Sequence, residues 1–283
     1  MQSPFCLKGQ TIDSAFVTVT NYDTAHHPDD IDDSLLLLPE ASHSIVKPAG
    51  YFQLLSKTVL DGARKPFHLN AKDWRQIGIF SAALGATLIL DRPINEEVQR
   101  IRAKAGFIRN SSPIITQLGG YTGLAVVGGF GVYGLIAKDQ KMKATVLLAS
   151  QSFLIAGVST AGIKMLTGRT RPDFYNHWKG PDYYFKSKPN VNGFCPEYNS
   201  FPSGHTSTAF SIATIFAKQY SNRKWVPVLS YGLASMVGAT RIIENRHWAS
   251  DVLAGAALGY LCGNLVMANY KRMNKKKSAK ILL

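Results

Sequence analysis

Between Ile114 and Ile136 the chain carries no formal charge, and this stretch limits the possible folds more than any other feature. An apolar helix of about 20 residues matches the hydrocarbon thickness of a bilayer, where each backbone polar group must find its partner inside the segment. Further apolar stretches lie at Trp74–Leu90, Ala144–Ile163, Trp225–Ile243 and Ser250–Ala268, with a shorter and more polar one at Thr206–Ala217. The pattern predicts an all-α bundle of about six core helices that spans a membrane. On its own, Thr206–Ala217 would not qualify as a span.

Small residues recur at the spacing by which helices pack closely in lipid: Gly119 with Gly123, and Gly255, Gly259 and Gly263. The string GFGVYG (Gly129–Gly134) matches the dinucleotide-binding pattern GxGxxG. It sits deep in an apolar run with no strand before it, so a packing role is expected instead.

A formal net charge of +14 and a pI near 9.7 point to an anionic partner. No basic block interleaved with aromatics occurs in the middle of the chain, which argues against nucleic acid and leaves a membrane surface or a phosphorylated substrate. The three cysteines, Cys6, Cys195 and Cys262, have no metal-ligand spacing. A Cys6–Cys195 bridge stays open, and Cys262 reads as packing.

Residues 1–71 form a polar arm, 72–270 the helical domain and 271–283 a basic tail. The arm includes AHHPDDIDD (Ala25–Asp33), whose His26 and His27 lack a recognised ligand spacing and read as solvated. Its opening, MQSPFCLKGQ, resembles the end of a secretory leader. Six crossings that start inside put KDQKMK (138–143), SNRK (221–224) and the basic tail on the cytoplasmic side, as the positive-inside rule prefers. DRPINEEVQRIRAKAGFIR then forms an outer loop. A cleaved leader would reverse this topology, and with mean hydropathy near zero a soluble or surface-bound bundle remains the alternative.

Three segments carry chemistry. In TRIIENRHWASD (240–251), His247 and Asp251 are four residues apart, so a helix puts them on one face and lets the carboxylate orient the imidazole. Arg241 offers a fork of donors suited to phosphate. KMLTGRTRP ends an apolar helix with Lys164, Arg169 and Arg171. FPSGHTSTAF places Ser203 as a natural N-cap and Gly204 at a helix start, where free N–H groups form an anion site, with His205 beside them. In the six-crossing topology all three segments fall on one side.

Together these segments resemble the signature of the type 2 phosphatidic acid phosphatase and vanadium haloperoxidase superfamily: Lys-x6-Arg-Pro, Pro-Ser-Gly-His and Ser-Arg-x5-His-x3-Asp. The chain matches with Lys164, Arg171-Pro172, Pro202-Ser203-Gly204-His205, Arg241, His247 and Asp251, and departs only at Thr240, where serine is usual. The resemblance implies a phosphohistidine on His247, oriented by Asp251, with His205 as acid and then base. Lys164, Arg171, Arg241, the Ser203 hydroxyl and the Gly204 N–H would hold the phosphoryl oxygens. No metal or other cofactor is expected.

The implied function is metal-independent hydrolysis of a lipid phosphate or pyrophosphate, in a bacterial inner membrane with the site facing the periplasm. The implied partners are a phosphorylated lipid and the membrane. Three alternatives stay open: a soluble periplasmic acid phosphatase, a haloperoxidase holding vanadate on His247, and a scaffold with a relic site. Arg169, outside the signature, reads equally as structural or substrate-contacting. The aromatic segment Asp173–Ser200, with Trp178, Tyr183, Tyr184 and Phe185, reads equally as a lid or a packed cover.

Overall fold

A computed structural model of the chain describes residues 48–178 and 199–281, all within one unit, Ser42–Leu283. Cys6, His26, His27, Tyr183, Tyr184, Phe185 and Cys195, together with the Trp178 side chain, lie outside the described residues. The elements are α1 (Pro48–Arg64), α2 (Ala71–Lys104), α3 (Gly106–Thr116), α4 (Tyr121–Ile136), α5 (Gln140–Thr167), α6 (Pro172–Trp178), α7 (Gly204–Gln219), α8 (Trp225–Ile243) and α9 (Ala249–Ile281). The described residues are helical with no strand, as the apolar pattern predicts.

Four helices, α2, α5, α8 and α9, are long and apolar enough to cross a membrane. The pair α3 and α4 makes a fifth if counted as one span, bent by 60° at Gly119–Gly120. The charge-free stretch that opens the sequence reading is therefore broken. Gly123 stands where a Cβ would lie 2.0 Å from the Leu118 carbonyl oxygen, so it permits the bend instead of pairing with Gly119 in a helix seam.

Helix α7 is not among the candidate spans, yet it is the most enclosed element, packed by α5, α8 and α9. Its inner face is hydroxylic, with Thr206, Ser207, Thr208, Ser211 and Thr214 buried. All but Ser207 bond within the helix or its cap, which removes most of their cost in an apolar surrounding. Ser211 Oγ donates to the Thr208 carbonyl at 2.8 Å and Thr214 Oγ1 to the Phe210 carbonyl at 2.8 Å.

The glycine stripe of α9 brings the two helices together. A Cβ at Gly255 would sit 2.5 Å from the Ser203 carbonyl oxygen, one at Gly259 2.1 Å from that of Ser207, and one at Gly263 2.6 Å from Thr214 Cβ. Only a hydrogen at these positions allows this backbone approach. In GFGVYG, a Cβ at Gly131 or Gly134 would meet Val146 or Met142 of α5, so the string serves helix packing.

Three sequence boundaries change. The expected outer loop beginning at Asp91 is helical, since α2 runs through Pro93 to Lys104 and α3 follows at Gly106. Apart from Asp91, which is buried, its charged residues are Glu, Arg and Lys, strong helix formers whose charges mark a largely exposed face instead of a break. Part of the polar arm also folds: α1 packs on α9 through Leu54, and Thr58 lies 3.4 Å from Asn269 Nδ2. Its inner face mixes Leu, Thr and Gly, which hides the helical period. Basic residues taken as a tail continue α9 to Ile281.

Candidate active site

The site assembles at one end of the bundle from the terminus of α5, the starts of α7 and α9, and the end of α8. Gly168, at φ 53°, ends α5 in the left-handed conformation that suits glycine. The turn carries Arg169 into the interior, where it is fully buried. Between α8 and α9, the N–H groups of Arg246 and His247 both donate to the Arg241 carbonyl, at 3.1 and 3.2 Å. Asn245 holds a positive φ of 59° in that turn, a conformation asparagine tolerates. His247 is thereby fixed close to the helix end that bears Arg241.

His247 is 2% exposed and Asp251 is fully buried. His247 Nδ1 lies 3.6 Å from Asp251 Oδ2, an ion-pair separation too long for a hydrogen bond, and it has no hydrogen-bond partner among the described residues. Asp251 Oδ2 accepts from Ser200 Oγ at 2.5 Å and from the Trp248 N–H at 2.8 Å. Oδ1 accepts from Arg169 Nη1, and the Ser203 N–H donates to the Asp251 carbonyl at 2.9 Å. The carboxylate is thus held on both oxygens with its edge toward His247.

The cations approach from separate helices. Lys164 Nζ donates to the Asn199 carbonyl, with the Ser200 carbonyl 3.5 Å away. A Cβ at Gly204 would lie 4.0 Å from Lys164 Cε, which puts the α7 start beside this ammonium. Arg241 Nη1 bonds Glu244 Oε2 at 2.5 Å and Thr116 Oγ1 at 3.0 Å. Thr240 keeps the hydroxyl of the usual serine and spends it 3.0 Å from Thr116 Oγ1.

His205 lies in the first turn of α7, half-buried, beside the bend between α3 and α4. Its Nε2 is 3.3 Å from where a Cβ of Gly120 would stand. Burial, and then the charges of Arg241, Lys164 and Arg171, push its pKa down to about 4. His247 falls to about 3, chiefly through burial, with the nearby Asp251 carboxylate opposing. Both imidazoles are neutral at neutral pH, facing a cationic cluster built for an anion.

Ser203 occupies the N-cap position, but its hydroxyl makes no capping bond and lies 2.8 Å from Thr206 Oγ1. Two groups join the site that the signature does not contain. Arg169 binds Asp251 from behind, and Asp91 of α2 binds Arg169 Nη2 at 2.6 Å. A contiguous acidic or basic pattern would have revealed Asp91. It stands instead far from the other motifs in sequence, among charges that read as a loop.

Beside the polar cluster is an apolar cavity of about 360 Å³ between α4, α7 and α8. Leu118 and Val237 line it, and the same Val237 and His205 both crowd the Cβ position of Gly119. The cavity therefore adjoins the His205 side of the cluster.

Helical elements thus meet at a cluster of two histidines, a buried aspartate and three cations, an arrangement whose charge suits an anion. The sequence profile of the PAP2 superfamily matches residues 144–275. It is 35% identical over 187 residues to a lipid A 1-phosphatase of Porphyromonas gingivalis, covering 65% of this chain and 37% of that protein. It is 36% identical over 129 residues to lipid phosphate phosphatase 1 of Arabidopsis thaliana, covering 38% of this chain and 39% of the relative. The chain thus spans less than two fifths of the length of these curated relatives. A solved PAP2-type phosphatidylglycerolphosphate phosphatase from Bacillus subtilis is similar at 24% identity and a TM-score of 0.47, covering 80% of this chain and 97% of that one.

Proposed function

We propose that the chain is a metal-independent phosphatase that removes a terminal phosphate from a membrane lipid through a phosphohistidine on His247. The observation that carries this reading is the convergence of Lys164, Arg171 and Arg241, from different elements, whose charges all act on His205. Three fixed cations suit the three equatorial oxygens of a phosphoryl group in flight.

In the first step His247 Nε2 attacks phosphorus in line. The N–P bond forms as the P–O bond to the lipid breaks, and His205 gives its proton to the departing oxygen. Asp251 stabilises the positive ring; its 3.6 Å separation from Nδ1 tightens as charge develops, as catalytic contacts commonly do on substrate binding. In the second step water loses a proton to His205, attacks phosphorus, and releases inorganic phosphate with His247 restored. Ser203 Oγ, shared with Thr206 in the free protein, turns to the phosphate, and the Gly204 N–H binds it at the helix start.

The catalytic unit is residues 72–270. The apolar cavity beside His205 supports a lipid tail in place of a soluble ester, and similarity to a lipid A 1-phosphatase favours a phosphorylated glycolipid among the candidates. We place the protein in a bacterial inner membrane with its site toward the periplasm.

The test is phosphate release in detergent with EDTA present, from phosphatidic acid, phosphatidylglycerol phosphate, an undecaprenyl pyrophosphate and a lipid A 1-phosphate. The expected result is release that survives EDTA and falls by about a thousandfold or more in His247→Ala. Equal release by both proteins overturns the nucleophile. No release from any of the four overturns the activity.

A further inference from the structure

The signature leaves Arg169 and Asp91 without a role, yet they are the most completely buried charges joined to the site. Asp91, Arg169 and Asp251 are each 0% exposed. One guanidinium bridges the two carboxylates: Nη1 reaches Asp251 Oδ1 and Nη2 reaches Asp91 Oδ2 at 2.6 Å. Ser250, next to Asp251, is bound by the same pair. Its N–H donates to Asp91 Oδ1 at 2.9 Å, its Oγ to Asp91 Oδ2 at 2.5 Å, and Arg169 Nη1 lies 2.7 Å from that Oγ. The Arg169 guanidinium stands 5.6 Å over the Trp248 ring, whose Nε1 donates to the Thr170 carbonyl at 2.8 Å. Every residue of the turn from Trp248 to Asp251 except Ala249 is therefore tied to Arg169, Asp91 or the end of α5.

We propose, resting on the phosphohistidine reading above, that Asp91 is a positioning residue for phosphoryl transfer, acting through Arg169 on Asp251. It contributes in two ways. It fixes the guanidinium that aims Asp251 at His247, so that Nδ1 meets a carboxylate of set orientation. It also supplies a second negative charge against Arg169, so that the guanidinium does not cancel the field Asp251 exerts on His247. That field matters when the ring becomes positive on forming the N–P bond. Both contributions act on the charge that develops as the N–P bond forms, so the effect falls on kcat.

The variants are Asp91→Asn and the double variant Asp91→Asn/Arg169→Gln. The first raises the charge of the cluster by one, and the second returns it to its original value. Kinetics are measured on the lipid phosphate that wild type hydrolyses, alongside inhibition by inorganic phosphate and elution of the detergent-solubilised protein on gel filtration. The expected result for Asp91→Asn is kcat lower by about 10–100-fold, with KM and inhibition by phosphate within about threefold of wild type. The double variant regains at least about fivefold in kcat over the single one, an interaction that independent structural damage does not produce. A kcat for Asp91→Asn within about twofold of wild type overturns the proposal, as does a double variant no faster than Asp91→Asn alone.

If Asp91→Asn does not fold, the charge-matched double variant carries the test. Folded and with kcat within about tenfold of wild type, it supports the proposal, whereas folded and inactive it overturns it. Failure of both to fold also overturns it, by assigning the cluster to the fold alone. Loss of wild-type activity on every lipid would instead strike the phosphatase reading, a separate and recognisable outcome.

Discussion

The two imidazoles set an asymmetric pH dependence. His247, lowered to about 3, is mostly unprotonated well above that value, as the proposed nucleophile requires. His205, lowered to about 4, is mostly neutral in the free protein at neutral pH and so lacks the proton that its proposed acid role requires. An arriving phosphate cancels the field of Arg241, Lys164 and Arg171, which raises His205 back toward its ordinary value. The fraction carrying the proton in the free protein therefore falls as pH rises, while in the complex it persists to higher pH. Between about pH 4 and about pH 9, kcat/KM should decline from the acid side and kcat should hold a plateau further toward neutrality. Two superimposable profiles would remove His205 as the acid. The histidines and cations were legible in the sequence because the signature spaces them. Asp91 was not, because its place depends on α2 lying against the start of α9, a tertiary fact with no local spacing to announce it. Ser203 was half legible, since its position at the N-cap is right but its hydroxyl faces Thr206.

At the level of elements, the enclosed polar helix α7 carries Gly204 and His205, and the glycines of α9 determine how closely it is held. A methyl group at Gly259 would meet the Ser207 carbonyl oxygen at 2.1 Å, so α7 and α9 must separate or bend. Gly259→Ala should lower stability by about 1–3 kcal/mol, as overpacking does, and reduce activity with it because His205 moves relative to His247. Gly128→Ala, with nothing within 4 Å of its new methyl, is the control and should leave both unchanged. Thermal melts in detergent with phosphate release at each temperature would reveal whether the pair differs. The glycine spacing of α9 was readable because lipid packing rewards small residues at that interval. The same spacing at Gly119 and Gly123 serves two ends, since Gly119 lets the chain approach α7 at His205 while Gly123 permits the bend. Hydropathy undervalued α7 for a related reason: an enclosed helix between other helices is free of the apolar demand that lipid makes on its neighbours.

For the whole molecule, the two ends of the bundle differ in what they carry. The turns joining α4 to α5 and α7 to α8 share one end, where Tyr220 OH lies 3.8 Å from Met142 Sδ and the Lys141 ammonium stands 4.9 Å over the Tyr220 ring. Helix α9 starts at the phosphate site and runs away from it to its Lys- and Arg-rich end, where Arg272 lies 3.5 Å from Asp61 of α1. Lys138, Lys141, Lys143, Arg223, Lys224 and Arg272 thus gather on the side opposite the site. Positive charge beside spans is retained in the cytoplasm, so the expected orientation has this end inside and the site end facing out. Arg100, Arg102, Lys104 and Arg109 oppose this at the site end, partly offset by Glu96 and Glu97. Single cysteines decide between the two sets of charges, introduced at exposed positions in a background lacking Cys6, Cys195 and Cys262. Asn222→Cys, in the α7–α8 turn, should react with a membrane-impermeant maleimide only after the cells are permeabilised. Lys104→Cys, at the end of α2, should react in intact spheroplasts. The opposite pattern would turn the site toward the cytoplasm, and labelling of both in intact spheroplasts would mean that the helices do not span. The substrate follows from the outcome: a site facing out meets lipids of the outer leaflet, whereas a site facing in meets those newly made on the cytoplasmic face.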